Sequence, residues 1–439
     1  MAFLPIIFIL SSLLKFSNAQ RVDRIGINYG KQGSNLPTPY QSIDTIANMK
    51  AGMVRLYDTD SETLRLVAGT SLHVVITVSN DDIVDLARKE SLASKWVHDN
   101  IFAYYPRTMI RYIMVGNEVY SNRVVVPDQW DNLVLAMTHI MKVLKSHEIH
   151  NIKVGTPLGM DILSATFPPS NGTFKVDTLT TMVPLLQLLH RSNSYFCLNV
   201  YPYFPWSKDT THMNLNFTLF EGGNLTYKDP YSGLVYNNVL DQMLDSVYSA
   251  MSKIGFPNVP IAISETGWPS KGDLDQPGAN VYNAATYNRN LIKKIVAEPP
   301  LGTPARPGTI IPAFLFSLYD ENLKDGPETE RHWGLVKPNG TPVYQIDLTG
   351  TQTEFDPLPN ATNNMPYKGE VWCVVQRSAN MTELGSMVTN LCSRLNGTCE
   401  AAIGPGNDCY QPVSILWHAS YTFSAYWAQF RRHGTYCQF

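Results

Sequence analysis

Val259-Pro260-Ile261-Ala262-Ile263-Ser264-Glu265-Thr266-Gly267-Trp268-Pro269 reads as a buried strand that runs into a turn. Val259, Ile261 and Ile263 are apolar with small residues between them, the pattern of a strand covered on both faces. Gly-Trp-Pro cannot prolong it. A carboxyl group at the C-terminal end of a strand, followed by an indole, suits chemistry on a sugar. The carboxylate serves as nucleophile or base, and the indole stacks on a pyranose ring. The same pattern also fits a strand-end Glu held in an ion pair with a core Trp behind it.

A second stretch separates the two readings. Ile110-Arg111-Tyr112-Ile113-Met114-Val115-Gly116-Asn117-Glu118-Val119 is another apolar strand ending in a carboxyl group, here preceded by Asn. Two carboxyls at the ends of separate parallel strands are what glycoside hydrolysis requires, one as acid/base and one as nucleophile. In a (β/α)8 barrel both strand ends fall on the catalytic face, however far apart they are in the chain.

With these residues in view, the chain resembles the plant β-1,3-glucanases of glycoside hydrolase family 17, followed by an X8-type carbohydrate-binding module (family 43). The barrel motifs are Ile27-Asn28-Tyr29-Gly30, Val54-Arg55-Leu56-Tyr57-Asp58, Val115-Gly116-Asn117-Glu118-Val119, Asn199-Val200-Tyr201-Pro202-Tyr203, Ser264-Glu265-Thr266-Gly267-Trp268-Pro269 and Asp320-Glu321-Asn322. The resemblance spans nearly the whole mature chain. It implies a retaining endo-hydrolase of β-1,3-glucan (callose, laminarin-type or fungal wall glucan), with Glu118 as acid/base and Glu265 as nucleophile. A β-1,3-glucan transglycosylase and a non-catalytic glucan-binding wall protein are the alternatives.

Periodicity agrees with a barrel. Strand-like runs occur at 25–29, 53–57, 73–78, 111–115, 152–156, 196–201, 261–264 and 313–318. Helical stretches at 81–104, 130–147, 179–190, 235–254 and 282–297 separate many of them. Alternating strand and helix argues for a parallel sheet, and eight runs for a closed barrel. The polar and aromatic residues at the strand ends then line a sugar cleft. Tyr29, Tyr57, Asp58, Tyr201 and Tyr203 are candidates, and Trp268 is the stacking indole. Asn117 can hydrogen-bond a sugar 2-hydroxyl beside the acid. By resemblance Tyr201 orients the Glu265 carboxylate, and Glu321, Lys324 and Glu330 stand around the cleft. The loop 204–233, with Trp206, Phe217, Phe220 and Tyr227, reads as a cleft wall.

At 439 residues the chain has room for a barrel and a small module. The formal net charge of −3 gives no basic bias, which excludes nucleic acid as an expected partner. No His/Cys cluster has metal-site spacing, so neither metal nor cofactor is expected, and the protein is read as a monomer. Residues 1–19 form a secretory signal, since the apolar run is too short to span a bilayer and Ser17-Asn18-Ala19 suits cleavage. In a secreted chain the Asn-X-Ser/Thr sites at Asn171, Asn216, Asn224, Asn339, Asn360, Asn380 and Asn396 are glycan acceptors.

The expected domains are 20–347 for the barrel, 348–369 for a Thr-, Asn- and Pro-rich linker, and 370–439 for the module. Five of six cysteines fall in the module, as a small secreted domain needs. Cys197, inside an apolar strand, reads as a small buried hydrophobe. The resemblance implies the pairs Cys373–Cys437 and Cys392–Cys399 and leaves Cys409 without its partner, so the module reads as incomplete. No hydrophobic lipid-anchor tail follows Cys437, so a secreted form free of the membrane is expected. Trp372 reads as module core.

Overall fold

The computed structural model describes residues 24–376, 378–431, 435 and 437, so the expected signal at 1–19 lies outside the described residues. Eight parallel strands make a barrel: β1 (Ile25–Tyr29), β2 (Met53–Leu56), β3 (His73–Val78), β4 (Ile110–Val115), β5, β6 (Phe196–Asn199), β7 (Ile261–Thr266) and β8 (Ala313–Leu315). β5 consists of two segments, Lys153–Gly155 and Pro157–Leu158. The first pairs with β4 and the second with β6, so a bend at Thr156 closes the ring. Pro157 lacks the N–H that an unbroken ladder needs, which is why the strand changes partners there. Pro157 keeps its carbonyl, and that oxygen accepts a 3.0 Å hydrogen bond from Glu118 N.

Strand parity decides what each residue meets. Ile25, Ile27, Val54, Leu56, Val74 and Ile76 join the large core between strands and helices. Met53, Val75, Tyr112, Met114, Cys197 and Phe314 fill the barrel interior. Successive side chains of a strand alternate between those two layers. Cys197 is a buried free thiol in the inner layer, 3.4 Å from Tyr112 Oη.

Three expected elements differ. The helix expected at 81–104 is two helices, Ile83–Arg88 and Glu90–Val97, followed by a wide turn, His98–Phe102. Lys89 is extended between them (φ −139°, ψ 118°). The buried positions slip in phase from Leu86 and Ala87 to Ala93, leaving Glu90 where a continuous stripe would place an apolar residue. The helix expected from residue 235 starts at Val239, where the Asn238 side chain caps it by accepting from Asp241 N at 2.8 Å. The loop 204–233 carries the short helices Tyr203–Lys208 and Leu215–Thr218.

Beyond the barrel, the segment 348–369 has neither helix nor strand but is laid along the surface. Gly278 N donates to Asn363 O at 2.7 Å, and Asn280 and Asn283 side chains donate to Asn364 Oδ1 at 3.0 and 2.7 Å. The module has three helices, Met381–Ser393, Thr398–Ile403 and Ile415–Phe430. Cys373–Cys437 and Cys392–Cys399 are disulfides, and Cys409 is free. Trp372, expected in the module core, is 66 % exposed, and Trp427 packs there with Leu384, Leu391 and Phe423 instead. No helix of the described residues is long and apolar enough to cross a membrane.

One close approach sets a stability test. A Cβ on Gly172 would stand 1.9 Å from the backbone carbonyl of Ser246 in helix Val239–Lys253. Backbone cannot swing aside as a side chain can, so Gly172→Ala should cost about 1–3 kcal/mol through overpacking. Denaturant unfolding followed by tryptophan fluorescence measures this, and an unchanged midpoint would show that the contact is not tight.

Candidate active site

At the C-terminal ends of the strands lies a cleft of about 550 Å³ lined by Glu118, Glu265 and nineteen other residues. By plain alternation Glu265 would follow Ile261 and Ile263 toward the helices. A bulge prevents this. Ile263 is opposite Leu198 and Glu265 is opposite Asn199, so β7 carries one extra residue, Ser264. A bulge re-aims the side chain that follows it, and here it turns Glu265 into the barrel mouth. Glu118 arrives differently. After β4 the chain curls through Gly116 (φ 70°) and Glu118 (φ 49°), both left-handed. Asn80 fixes that curl, accepting from Asn117 N at 2.7 Å and donating to Asn117 O at 3.1 Å.

The two carboxyl groups have unlike surroundings. Glu265 Oε1 accepts from Arg55 Nη1 and Tyr57 Oη, each at 2.8 Å, and Oε2 accepts from Tyr201 Oη at 2.8 Å. Glu118 Oε1 accepts from the neutral amide of Asn199 at 3.0 Å. Burial, with the charge of Glu265 adding to it, pushes the Glu118 carboxyl up to about 7. Burial also raises Glu321 and Glu330 above the ordinary carboxyl range.

Arg55 holds the floor together. Wholly buried, it donates from Nη1 to Ser264 O at 3.1 Å and to Glu265, and from Nη2 to Asn117 Oδ1 at 2.7 Å. Asn199 completes the bracing, since its Oδ1 accepts from Ser264 Oγ at 2.7 Å. One wall is aromatic: Tyr201, Phe204 and Phe316 stand around Trp333 with ring centroids 5.0, 5.8 and 6.2 Å from it. Lys324 lies 4.0 Å above the Phe316 ring.

Of the residues expected in the cleft, Asn117, Tyr57, Tyr201, Glu321, Lys324 and Glu330 line it together with the two catalytic candidates. Tyr29 does not. It has the parity of Ile25 and Ile27, so it is buried toward the helices and meets Tyr319 edge-on at 6.4 Å. Trp268 does not either. The turn after β7 drives its indole into the core between Tyr203, Trp206 and Tyr287, and its Nε1 donates to Gly278 O at 2.8 Å. Tyr203 and Trp206 are buried with it, and from the loop 204–233 only Phe204 and Pro205 reach the cleft. Arg55, Asn199, Asn80, Phe316 and Trp333 were not expected in functional roles. A charged residue amid the apolar Val54 and Leu56 was a usable signal, because a buried guanidinium needs partners.

A barrel with two carboxyl groups from separate strand ends lining one aromatic and polar cleft is the layout of a (β/α)8 glycoside hydrolase. The chain belongs to glycosyl hydrolases family 17, whose model matches residues 25–348, and an X8 domain model matches residues 371–439. It is 55 % identical over 422 residues to the "Probable glucan endo-1,3-beta-glucosidase A6" of Arabidopsis thaliana, covering 95 % of this chain and 87 % of that one. Among solved structures it is similar to "CJP38, a beta-1,3-glucanase and allergen of Cryptomeria japonica pollen" (39 % identity, TM-score 0.68, 74 % of this chain and 99 % of that one). It is also similar to one of two plant β-glucan endohydrolases of distinct substrate specificities (34 % identity, TM-score 0.67, 73 % and 99 %).

Protonation of Glu118 carries a stability signature. Its folded pKa of about 7 lies above the ordinary 4.5, so the favourable contribution is complete below pH 4.5 and is lost as pH rises through 7. Glu118→Gln keeps an acceptor for Asn199 and cannot ionise. The variant should match the parent near pH 4 and exceed it by up to about 3 kcal/mol at pH 8. Unfolding at both pH values tests this. An equal difference at the two would mean that Glu118 titrates normally.

Proposed function

We propose that the protein is a secreted endo-hydrolase of 1,3-β-glucan that works by double displacement with retention. The single observation behind this reading is the contrast between the carboxyl groups. Glu118 sits in a desolvated position where its proton is retained near neutrality. Glu265 is gripped by a guanidinium and two hydroxyls that fix both of its oxygens. Environments that set two carboxyls apart assign the acid and the nucleophile.

In the first step a Glu265 oxygen attacks the anomeric carbon while Glu118 gives its proton to the departing glycosidic oxygen. The bond to the leaving sugar breaks as the glycosyl-ester bond forms. In the second step Glu118, now a base, takes a proton from water, and the hydroxide displaces Glu265. Arg55 and Tyr201 position Glu265, and Asn199 orients Glu118. Asn117 offers its amide to the 2-hydroxyl, while Glu321, Lys324 and Glu330 make up the polar wall. No cofactor enters these steps. The linkage rests on family 17 membership and on the 1,3-β-glucan activity named for the relatives.

The domain assignment is a leader at 1–19, the barrel at 20–347, a linker at 348–369 and the carbohydrate-binding module at 370–439. Two disulfides support export to an oxidising compartment. The asparagines of all seven glycosylation motifs are exposed.

Glu118→Gln should lower kcat on laminarin about 10²- to 10⁴-fold, and Glu265→Gln should lower it at least as far, with both variants folded. Parent activity should fall as pH rises through about 7, when Glu118 loses its proton. With an aryl glycoside that needs no acid, azide should restore Glu118→Ala and give the β-glycosyl azide. Near-parental turnover by Glu265→Gln would remove the nucleophile assignment.

Digests of a defined 1,3-β-oligosaccharide should give shorter products, with little release from cellulose. Predominantly longer products would mark a transglycosylase. Comparable rates on cellulose and laminarin would overturn the linkage.

A further inference from the structure

A glycosidic oxygen protonated by Glu118 belongs to the sugar that leaves, so that sugar must lie on the Glu118 side of the cleft. The loop after β5 forms this side. Gly159 is extended there (φ −79°, ψ 172°), and Met160–Ile162 makes a single turn. A Cβ at Gly159 would lie 2.9 Å from Asp161 Oδ1, 3.6 Å from Glu118 Oε1 and 3.7 Å from Ser121 Oγ. The three oxygens therefore converge on the face of Gly159, which carries no side chain of its own among them. All four residues line the cleft.

The opposite rim is differently made. There Lys31 is paired with Asp58 and Asp60, Glu321 accepts from Gln32 N at 2.7 Å, and Asn322 accepts from Ser34 N at 2.9 Å. On the Glu118 side, the exposed side chains of Asp161 and Ser121 make no hydrogen bond or ion pair among the described residues. They are free for an outside donor.

We infer that Asp161 and Ser121, with the face of Gly159 between them, seat the leaving-group glucosyl unit. The inference rests on Glu118 being the acid. Pyranose hydroxyls are donors, and a carboxylate accepts from them in charge-assisted bonds, whereas Ser121 Oγ both donates and accepts. The charge of Asp161 also helps raise Glu118, so one residue holds the leaving sugar and favours the proton it needs. The seat is the place a glucan acceptor must occupy to intercept the glycosyl-enzyme in place of water. Asp161 thus bears on the balance between transfer and hydrolysis as well as on substrate choice.

The test compares two substrates on the full chain: a linear 1,3-β-glucohexaose, whose leaving group is a sugar, and an aryl 1,3-β-glucobioside, whose leaving group is a phenol. The readout is the ratio of kcat/KM for the hexaose to that for the aryl glycoside. Asp161→Ala should lower this ratio about 10- to 100-fold, the range for losing a charged hydrogen bond. Gly159→Val, whose Cβ would crowd Asp161 Oδ1 from an ordinary backbone conformation, should lower it in the same direction. Longer transfer products should fall in step. A general structural lesion lowers both rates and leaves the ratio where it was. A ratio within about twofold of the parent in Asp161→Ala overturns the seat. A parent that cleaves neither substrate would instead overturn the 1,3-β-glucan reading itself.

Discussion

A guanidinium with no access to water needs acceptors, and at the floor of this barrel the residues of the cleft supply them to both of its terminal nitrogens. Arg55 reaches from β2 to the bulged residue Ser264, to Glu265 and to Asn117. Breaking a buried pair strands a charge at a cost of several kcal/mol, so these partners are held to each other more firmly than hydrogen bonds between neutral groups would hold them. One side chain therefore fixes the spacing between the bulged end of β7 and the loop after β4. The tyrosines around Glu265 and the amide of Asn199 add direction to a frame that the arginine has already set.

Much of this was legible once parity is applied strictly. Asn28, Arg55 and Asn199 sit one residue out of step with Ile27, Val54 and Leu198, and each points into the barrel. Applied to β1, the same rule sends Tyr29 toward the helices, which is where it lies. The pattern is silent where the backbone departs from ideality. Glu265 faces the cleft because of one extra residue in β7, and nothing in Ile-Ala-Ile-Ser-Glu-Thr announces a bulge. Trp268 shows the other limit. An indole beside a catalytic carboxyl invites a stacking role, yet its neighbours Tyr203, Trp206 and Tyr287 come from distant parts of the chain, and burial against them prevails.

The module repeats the lesson at smaller scale. Its helix Ile415–Phe430 is rich in aromatics, of which Phe423 and Trp427 are buried while Trp417 is left exposed. The two bridges were implied by the family resemblance, and both are formed. Which tryptophan fills a three-helix core depends on packing that composition does not encode.

The segment joining the two parts has a mechanical consequence. Its 348–369 stretch, read as a free tether, would let its ends wander roughly 25 Å apart. Because Asn363 and Asn364 are clasped by the barrel at Gly278, Asn280 and Asn283, the free length before Cys373 is eight residues, with a span of roughly 15 Å. A short leash confines the module to a small volume and raises its effective concentration beside the barrel. A polymer held by both parts would be released only when both let go at once, so the clasp of asparagines would act on dwell time rather than on any single affinity.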